Sequence, residues 1–442
     1  MIMKTVVRPE TEMKNSGIEY IGKIPNDWEV RKAGYLAAKI TDYVASGSFA
    51  TLAQNVQYLD EPDYARLIRT VDLSGSVNKQ PVYVSKEAYK FLSNSNLFGG
   101  ELILPNIGSV GCVYQYKKIY EHATLAPNSI LLDMKENNRF YFYWFSNPIV
   151  GESLKMLGNS TVQVKFNKSQ LRQYMLPRPP LSEQQAIADY LDETCSKIDE
   201  IIAEAKASIV EYKELRESVI SNATTRGIKK NRCMKPSGVE WLPEIPSDWN
   251  VLSPKVVFAQ RKDRAIKGER QLTASQKHGI MYQDDYMKEE GVRIVTVEKD
   301  FSILKHVEPD DFVISMRSFQ GGLEYSYLRG CISSAYVMLI PNHKYVYSEY
   351  YKWFFKSDKY INALQSTSDL IRDGQALRYA NFVKLKLFDI PIEEQKEIAD
   401  YLNKEVPKID SLIAEKESLI NDLEAYKKSL IYEVVTGKRR VV

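Results

Sequence analysis

SGIEYIGKIPNDWEV, residues 16–30, is written a second time as SGVEWLPEIPSDWNV, residues 237–251. Eight of the fifteen positions are identical (Ser, Gly, Glu, Ile, Pro, Asp, Trp and Val), and the copies lie 221 residues apart. A second pair follows. PLSEQQAIADYLD starts at Pro180 and PIEEQKEIADYLN at Pro391, now 211 apart. Fainter echoes lie between: residues 102–111 match 312–321, and Tyr141, Trp144 and Phe145 match Tyr350, Trp353 and Phe354. Self-similarity at a long fixed period marks a duplicated unit. The shrinking offset locates the difference between the copies: 72 positions separate Val30 from Leu102, but only 61 separate Val251 from Phe312. The ends of the unit are shared and the middle has diverged, as expected of one scaffold carrying two different recognition surfaces; a duplicated domain that merely drifted is the alternative.

Each copy ends in a helical pattern. Ser182 and Gln185 have capping-box spacing, which starts a helix. Leu191, Ile198, Ala205, Tyr212 and Val219 then recur every seven residues, with Ile201 and Leu215 at the intermediate position and Ser208 a weak link. Leu402, Ile409, Leu423 and Leu430 repeat the register in the second copy, helped by Leu412, Leu419 and Tyr426. A seam of this kind asks for a helical partner. Two equal units pairing about a dyad make the helices antiparallel, with the globular parts at opposite ends of the rod. Pro407 is expected to end a short helix near Glu405 and to open a longer one. The expected fold is α+β: two α/β domains separated by a pair of long antiparallel coiled-coil helices, with pseudo-twofold repeat. The boundaries are 1–179 for the first domain, 180–226 for the central helix, 227–236 for a linker, 237–390 for the second domain and 391–442 for the C-terminal helix.

The net charge of +3 conceals a division. Residues 182–226 carry ten acidic and five basic side chains, and residues 391–440 carry eleven and nine. The rest of the chain is therefore +10, and a polyanion would be drawn there. The four cysteines, Cys112, Cys195, Cys233 and Cys331, lie far apart with no C-x-x-C pair, which indicates neither a zinc site nor a disulfide framework. No apolar run approaches the roughly 18 residues of a membrane span. A cytoplasmic location without membrane attachment fits.

Catalytic motifs are missing. Asn147-Pro148-Ile149-Val150 lacks the second Pro and the ring that hold a flipped adenine. There is no glycine-rich nucleotide loop. Gly99-Gly100 and Gly321-Gly322 read as turns, and Pro309-Asp310 lacks the acid-x-Lys of a restriction nuclease. His122, His278, His306 and His343 have no ligand spacing, so no metal site is expected. Trp28, Trp144, Trp249 and Trp353 read as structural.

Two segments mix Lys or Arg with amides and hydroxyls before each closing helix. Arg reads guanine, Asn and Gln read adenine, and Lys or Ser usually hold phosphate. They supply Asn159, Thr161, Lys165, Asn167 and Lys168 in the first copy, and Arg372, Gln375 and Arg378 in the second. Asn106 and Ser109, and opposite them Ser315 and Arg317, follow a predicted strand in each copy and complete the candidate DNA-binding set. The candidate seam comprises Leu191, Ile198, Tyr212, Leu215, Val219, Leu402, Ile409, Leu412, Leu423 and Leu430.

With its paired opening motifs, its paired P-[LI]-x-EQ-x-x-IADYL motifs and its Thr-Gly endings (residues 224–227 and Thr436-Gly437), the chain resembles the specificity subunits of Type I restriction-modification systems over nearly its whole length. The first ending departs from the pattern by an inserted Arg226. The resemblance implies a non-catalytic chain whose two domains each read one half of a split, asymmetric sequence in double-stranded DNA. It also implies helices that dock two methyltransferase subunits, with motor-nuclease subunits joining for restriction. No cofactor is expected in this chain; S-adenosylmethionine, ATP and Mg would sit on the partners. The competing reading is a structural coiled-coil adaptor, which would keep the rod but need no divergent basic surfaces.

Overall fold

The computed structural model describes all residues except 1–3, 76–79, 159–163, 298–300, 316–317 and 368–378, and the side chains of 319 and 320. The chain divides into two compact units, one formed by Met1–Ala205 with Leu419–Val442, the other by Lys206–Ser418. Both long helices cross this division: the first runs Leu181–Arg226 and the second Ile392–Val435.

In the first unit a four-stranded antiparallel sheet takes the order Tyr114–Gln115, Leu102–Pro105, Ser129–Met134, Ala37–Asp42. The two middle strands are nearly continuous apolar runs because both faces are covered. A second sheet orders Val82–Val84, Ala65–Ile68, Ala123–Leu125 and Asn96–Leu97, its central pair parallel. The chain's first strand, Thr5–Val7, pairs with its last, Arg439–Val441.

The second unit rebuilds the first sheet: Glu324–Tyr325, Phe312–Ile314, Val337–Pro341, Phe258–Gln260. Its other sheet is reduced to two hairpin-like pairs, Leu272–Ser275 with Gly279–Tyr282 and Lys305–Val307 with Gly330–Ile332, joined by a parallel bridge from Gln271 to Cys331. Three of its four strands lie in the stretch between Val251 and Phe312 where the two copies differ in length.

The repeated motifs recur because they bond to each other. In the first unit the indole N–H of Trp28 donates to Glu183 at 2.8 Å, and Arg8 pairs with the same carboxylate. In the second, Trp249 donates to Glu394 at 3.1 Å and Arg232 pairs with it. The Trp of each opening motif thus meets the Glu of its EQ motif. The neighbouring Gln184 and Gln395 donate to backbone carbonyls of Pro179 and Ile390. Within IADYL, Ile187, Ala188 and Leu191 are fully buried, as are Ile398, Ala399 and Leu402.

The helices pair antiparallel within each unit. Asp199 meets Lys427 at 2.6 Å in the first, and Arg216 meets Asp410 at 2.7 Å in the second. Under the 211-residue repeat these are the same contact twice. The seam itself corrects the expectation. Leu191, Ile198, Leu402, Ile409 and Leu430 are buried, and Tyr212, Val219 and Leu423 partly so. Leu215 and Leu412, at 48% and 39% exposure, face out of it, as do Ile201, Leu419 and Tyr426. The intermediate position is four residues after the first, not three: Cys195, Ile202, Ile209 and Arg216 in one helix, and Val406, Ile413, Ile420, Lys427 and Val434 in the other. Three and four residues both return to one helix face, and the charged Arg216 and Lys427 disguise the true position. Pro407 corrects a second expectation. It sits inside an unbroken helix, because Leu402, Val406 and Ile409, buried on either side of it, outweigh the roughly 3 kcal/mol an interior proline costs.

Candidate nucleic-acid interface

In the first unit the strand Leu102–Pro105 delivers Asn106 to its C-terminal end. There Asn106 Nδ2 donates to the Phe166 carbonyl at 2.9 Å, and the Phe166 N–H donates back to the Asn106 carbonyl at 3.2 Å. Ile107 forms a bridge with Lys165. Two segments sixty residues apart are thereby brought to one place. Gly111, at φ +96°, lets this loop dock: a Cβ there would stand 2.8 Å from the Gly151 carbonyl oxygen.

The candidates at this strand end fall into two groups. Asn167 caps the helix Lys168–Gln173 in a capping box with Gln170. Lys168 Nζ lies 2.7 Å from Asp42 Oδ1, and the Asn106 amide is spent on Phe166. These three hold the framework. Ser109 and Lys165 are exposed and remain available to a ligand. Asn159 and Thr161 lie outside the described residues.

In the second unit Ser315 follows the equivalent strand. It is buried, its N–H donates to Ser318 Oγ at 2.8 Å, and it lines a cavity of about 350 Å³ with Gln276, Glu324 and Tyr336. Burial pushes the Glu324 carboxyl above its ordinary range, with Lys356 opposing. Arg317, Arg372, Gln375 and Arg378 lie outside the described residues.

The structure adds groups that the sequence did not single out. Arg261 clamps Asp311 through two hydrogen bonds of 2.6 and 2.9 Å. Even so, burial keeps Asp311 above the usual carboxylate range. His306 is buried between Glu269, at 2.6 Å, and Glu308, at 2.8 Å. Arg261, Glu269, His306 and Glu308 sit in the diverged stretch, whereas Asp311 answers to the buried Glu101 of the first copy. The tryptophans expected to be structural pack as such: Trp28, Trp144 and Trp249 are fully buried, and Trp353 is half-buried with its N–H donated to Asn403. Asn147, the first letter of the incomplete adenine motif, caps the helix Pro148–Lys155. No group of His, Cys, Asp and Glu able to hold a metal occurs among the described residues, and none of their helices is long and apolar enough to cross a membrane.

Residues 25–211 match the family described as the Type I restriction modification DNA specificity domain. The chain is 24% identical to the putative type I restriction enzyme MjaX specificity subunit of Methanocaldococcus jannaschii, covering 95% of this chain and 96% of that one. It is 22% identical to the MjaVIII specificity subunit of the same organism, covering 95% and 94%. Among solved structures, a chain from work on complex assembly and conformational transition of the type I R-M system superposes with a TM-score of 0.65 at 11% identity, over 94% of this chain and 99% of that one. The HsdS subunit from Thermoanaerobacter tengcongensis gives 0.53 at 12% identity, over 94% and 98%. The resemblance read from the paired motifs is borne out. Residues 25–211 carry the match to the type I restriction modification DNA specificity domain, and along nearly its whole length the chain is similar to type I restriction enzyme specificity subunits.

Proposed function

We propose that the chain reads a bipartite, asymmetric DNA sequence, one half with each recognition domain, and docks its enzymatic partners through the long helices. The observation that carries this reading is the duplicated sheet framework whose two middles differ in length and in their second sheet. A structural adaptor would not need that difference. Ser109 and Lys165 are the described candidates for DNA contact in the first unit, and Ser315 with its cavity in the second; Arg317, Arg372, Gln375 and Arg378 remain candidates by sequence.

Support for docking comes from the positions that miss the seam. Ile201 and Leu215 on the first helix are 45% and 48% exposed, and Leu412, Leu419 and Tyr426 on the second are 39%, 38% and 54% exposed. They follow a seven-residue period, and the 211-residue repeat maps Ile201 onto Leu412 and Leu215 onto Tyr426. Two equivalent apolar stripes suit two copies of one partner, which in this reading is the methyltransferase subunit. S-adenosylmethionine would then be carried by that subunit, and ATP and Mg by the motor-nuclease subunits, all in the cytoplasm.

The test is a binding profile over a DNA library varied in both half-sites, with methyltransferase subunits present. A two-part consensus is expected. A single continuous consensus, or none, would refute the reading.

A further inference from the structure

Corresponding positions in the two units treat one region of the fold differently. In the first unit Tyr20 and Tyr174 stack with ring centroids 4.8 Å apart, and the Tyr174 hydroxyl bonds Ser153. The repeat places Trp241, Leu385 and Ala363 at these positions in the second unit. The phenol is lost and its hydroxyl partner with it. A cavity of about 770 Å³ lies there, walled by Trp241, Ala363 and Leu385. That size suits a sizeable ligand group and exceeds a single water many times over.

The rest of the described wall is mostly polar: Lys359, Lys384, Asn362, Ser366 and Thr367, with the acid Glu240 and the apolar Val239. Lys384 Nζ lies 3.4 Å from the Thr367 carbonyl. Neither Lys359 nor Arg226 has an ion pair among the described residues. Burial pulls the Lys359 ammonium below its usual range, and the nearby Arg226 guanidinium pulls it in the same direction. Arg226 is the residue inserted into the first Thr-Gly ending. Two cations near each other, with no ion pair among the described residues, beside a cavity, are an arrangement that an anion would complete. In sequence the wall residue Thr367 immediately precedes the stretch that contains Arg372, Gln375 and Arg378, and Lys384 follows it.

We propose that this cavity receives a phosphate group of the bound DNA backbone, with Lys359 and Lys384 as its cationic partners, Arg226 adding to their field and Asn362 donating its amide. The cavity volume, larger than an isolated phosphate needs, favours a phosphodiester with its flanking sugars over the free ion. The choice of DNA as the source rests on the proposed function; the phosphate chemistry itself does not.

The experiment uses the full chain with methyltransferase subunits and two independent readouts. The first is DNA affinity against salt concentration for wild type, Lys359→Gln and Lys384→Gln. Each substitution is expected to weaken all sequences alike, to lower the slope of log affinity on log salt by about one, and to leave both half-site preferences intact. The second is a titration with inorganic phosphate followed by tryptophan fluorescence, with Trp241→Phe identifying the signal of the cavity wall. The signal is expected in wild type and absent in Trp241→Phe and Lys359→Gln. Unchanged melting temperatures establish that the variants fold, and Lys384→Gln serves alone if Lys359→Gln does not. A phosphate response with unchanged DNA binding in the lysine variants overturns DNA as the source. A phosphate response in a complex that binds no DNA supports the anion site and refutes the DNA-reading function instead. Absence of both effects overturns the proposal.

Discussion

Removing the carboxylate of Glu394 tests whether the repeated motifs are anchors. Its side chain is 2% exposed and accepts from both terminal nitrogens of Arg232, whose own side chain is 9% exposed, and from the indole of the fully buried Trp249. Glu394→Ala leaves a guanidinium short of its main partner and an indole N–H with no acceptor. Breaking a buried pair from one side costs about 3–5 kcal/mol, and an orphaned buried donor about 1–3 kcal/mol. Asp248, 55% exposed, still holds Arg232, so the total should fall near 4 kcal/mol rather than at the sum of the two. Glu394→Gln keeps an acceptor for the indole and should cost about half as much. The equivalent Glu183, whose side chain is 16% exposed, should cost somewhat less on removal, because water reaches the vacated site. Urea unfolding followed by tryptophan fluorescence and circular dichroism measures all three. A loss below about 1 kcal/mol in Glu394→Ala, with the second unit still folded, would refute the anchoring argument.

The helix seam offers a paired comparison: Ile202→Asp should cost several kcal/mol because it buries a carboxylate, whereas Leu215→Asp should leave folding nearly unchanged and weaken capture of methyltransferase subunits, as read by thermal melts and size-exclusion chromatography. Gly437→Ala and Gly227→Ala should each destabilise by more than about 1 kcal/mol, since both glycines have φ +72° and an added Cβ would meet Trp28 and Pro25 in one case and Arg232 and Glu394 in the other; near-neutral melts would contradict this. In Asp72 burial raises the carboxyl pKa, but hydrogen bonds from Arg69 more than reverse it, leaving the pKa below its ordinary 3.8. Its stabilising contribution is therefore present above that value and lost as pH falls below it, so Asp72→Asn should flatten the acid limb of the first unit's stability curve between about pH 5 and 2, measured by urea melts. Lys165→Ala should weaken DNA binding for all sequences alike if the side chain holds phosphate, and should alter one half-site alone if it reads a base; changed preferences in both halves would contradict independent recognition domains.

The duplication, the α+β class, the antiparallel helix pair and the absence of familiar catalytic motifs were all legible in the sequence. Each rests on a local or periodic signal: two motifs written twice, apolar residues every seven positions, and missing glycine-rich or base-pocket patterns. Tertiary structure decided the matters that depend on which atoms meet. Three-residue and four-residue spacings are equally helical, so only packing could move the second seam position from Leu215 and Leu412 to Arg216 and Ile413. A proline in a helix is a local penalty, and only the burial on both sides of Pro407 shows it overcome. Asn167 and Lys168 carry the chemistry of DNA-reading side chains, yet a helix cap and Asp42 claim them. The union of Trp28 with Glu183, and of Trp249 with Glu394, joins positions about 150 residues apart in sequence. The repeat announced that those residues mattered, and folding alone brought the indole to the carboxylate.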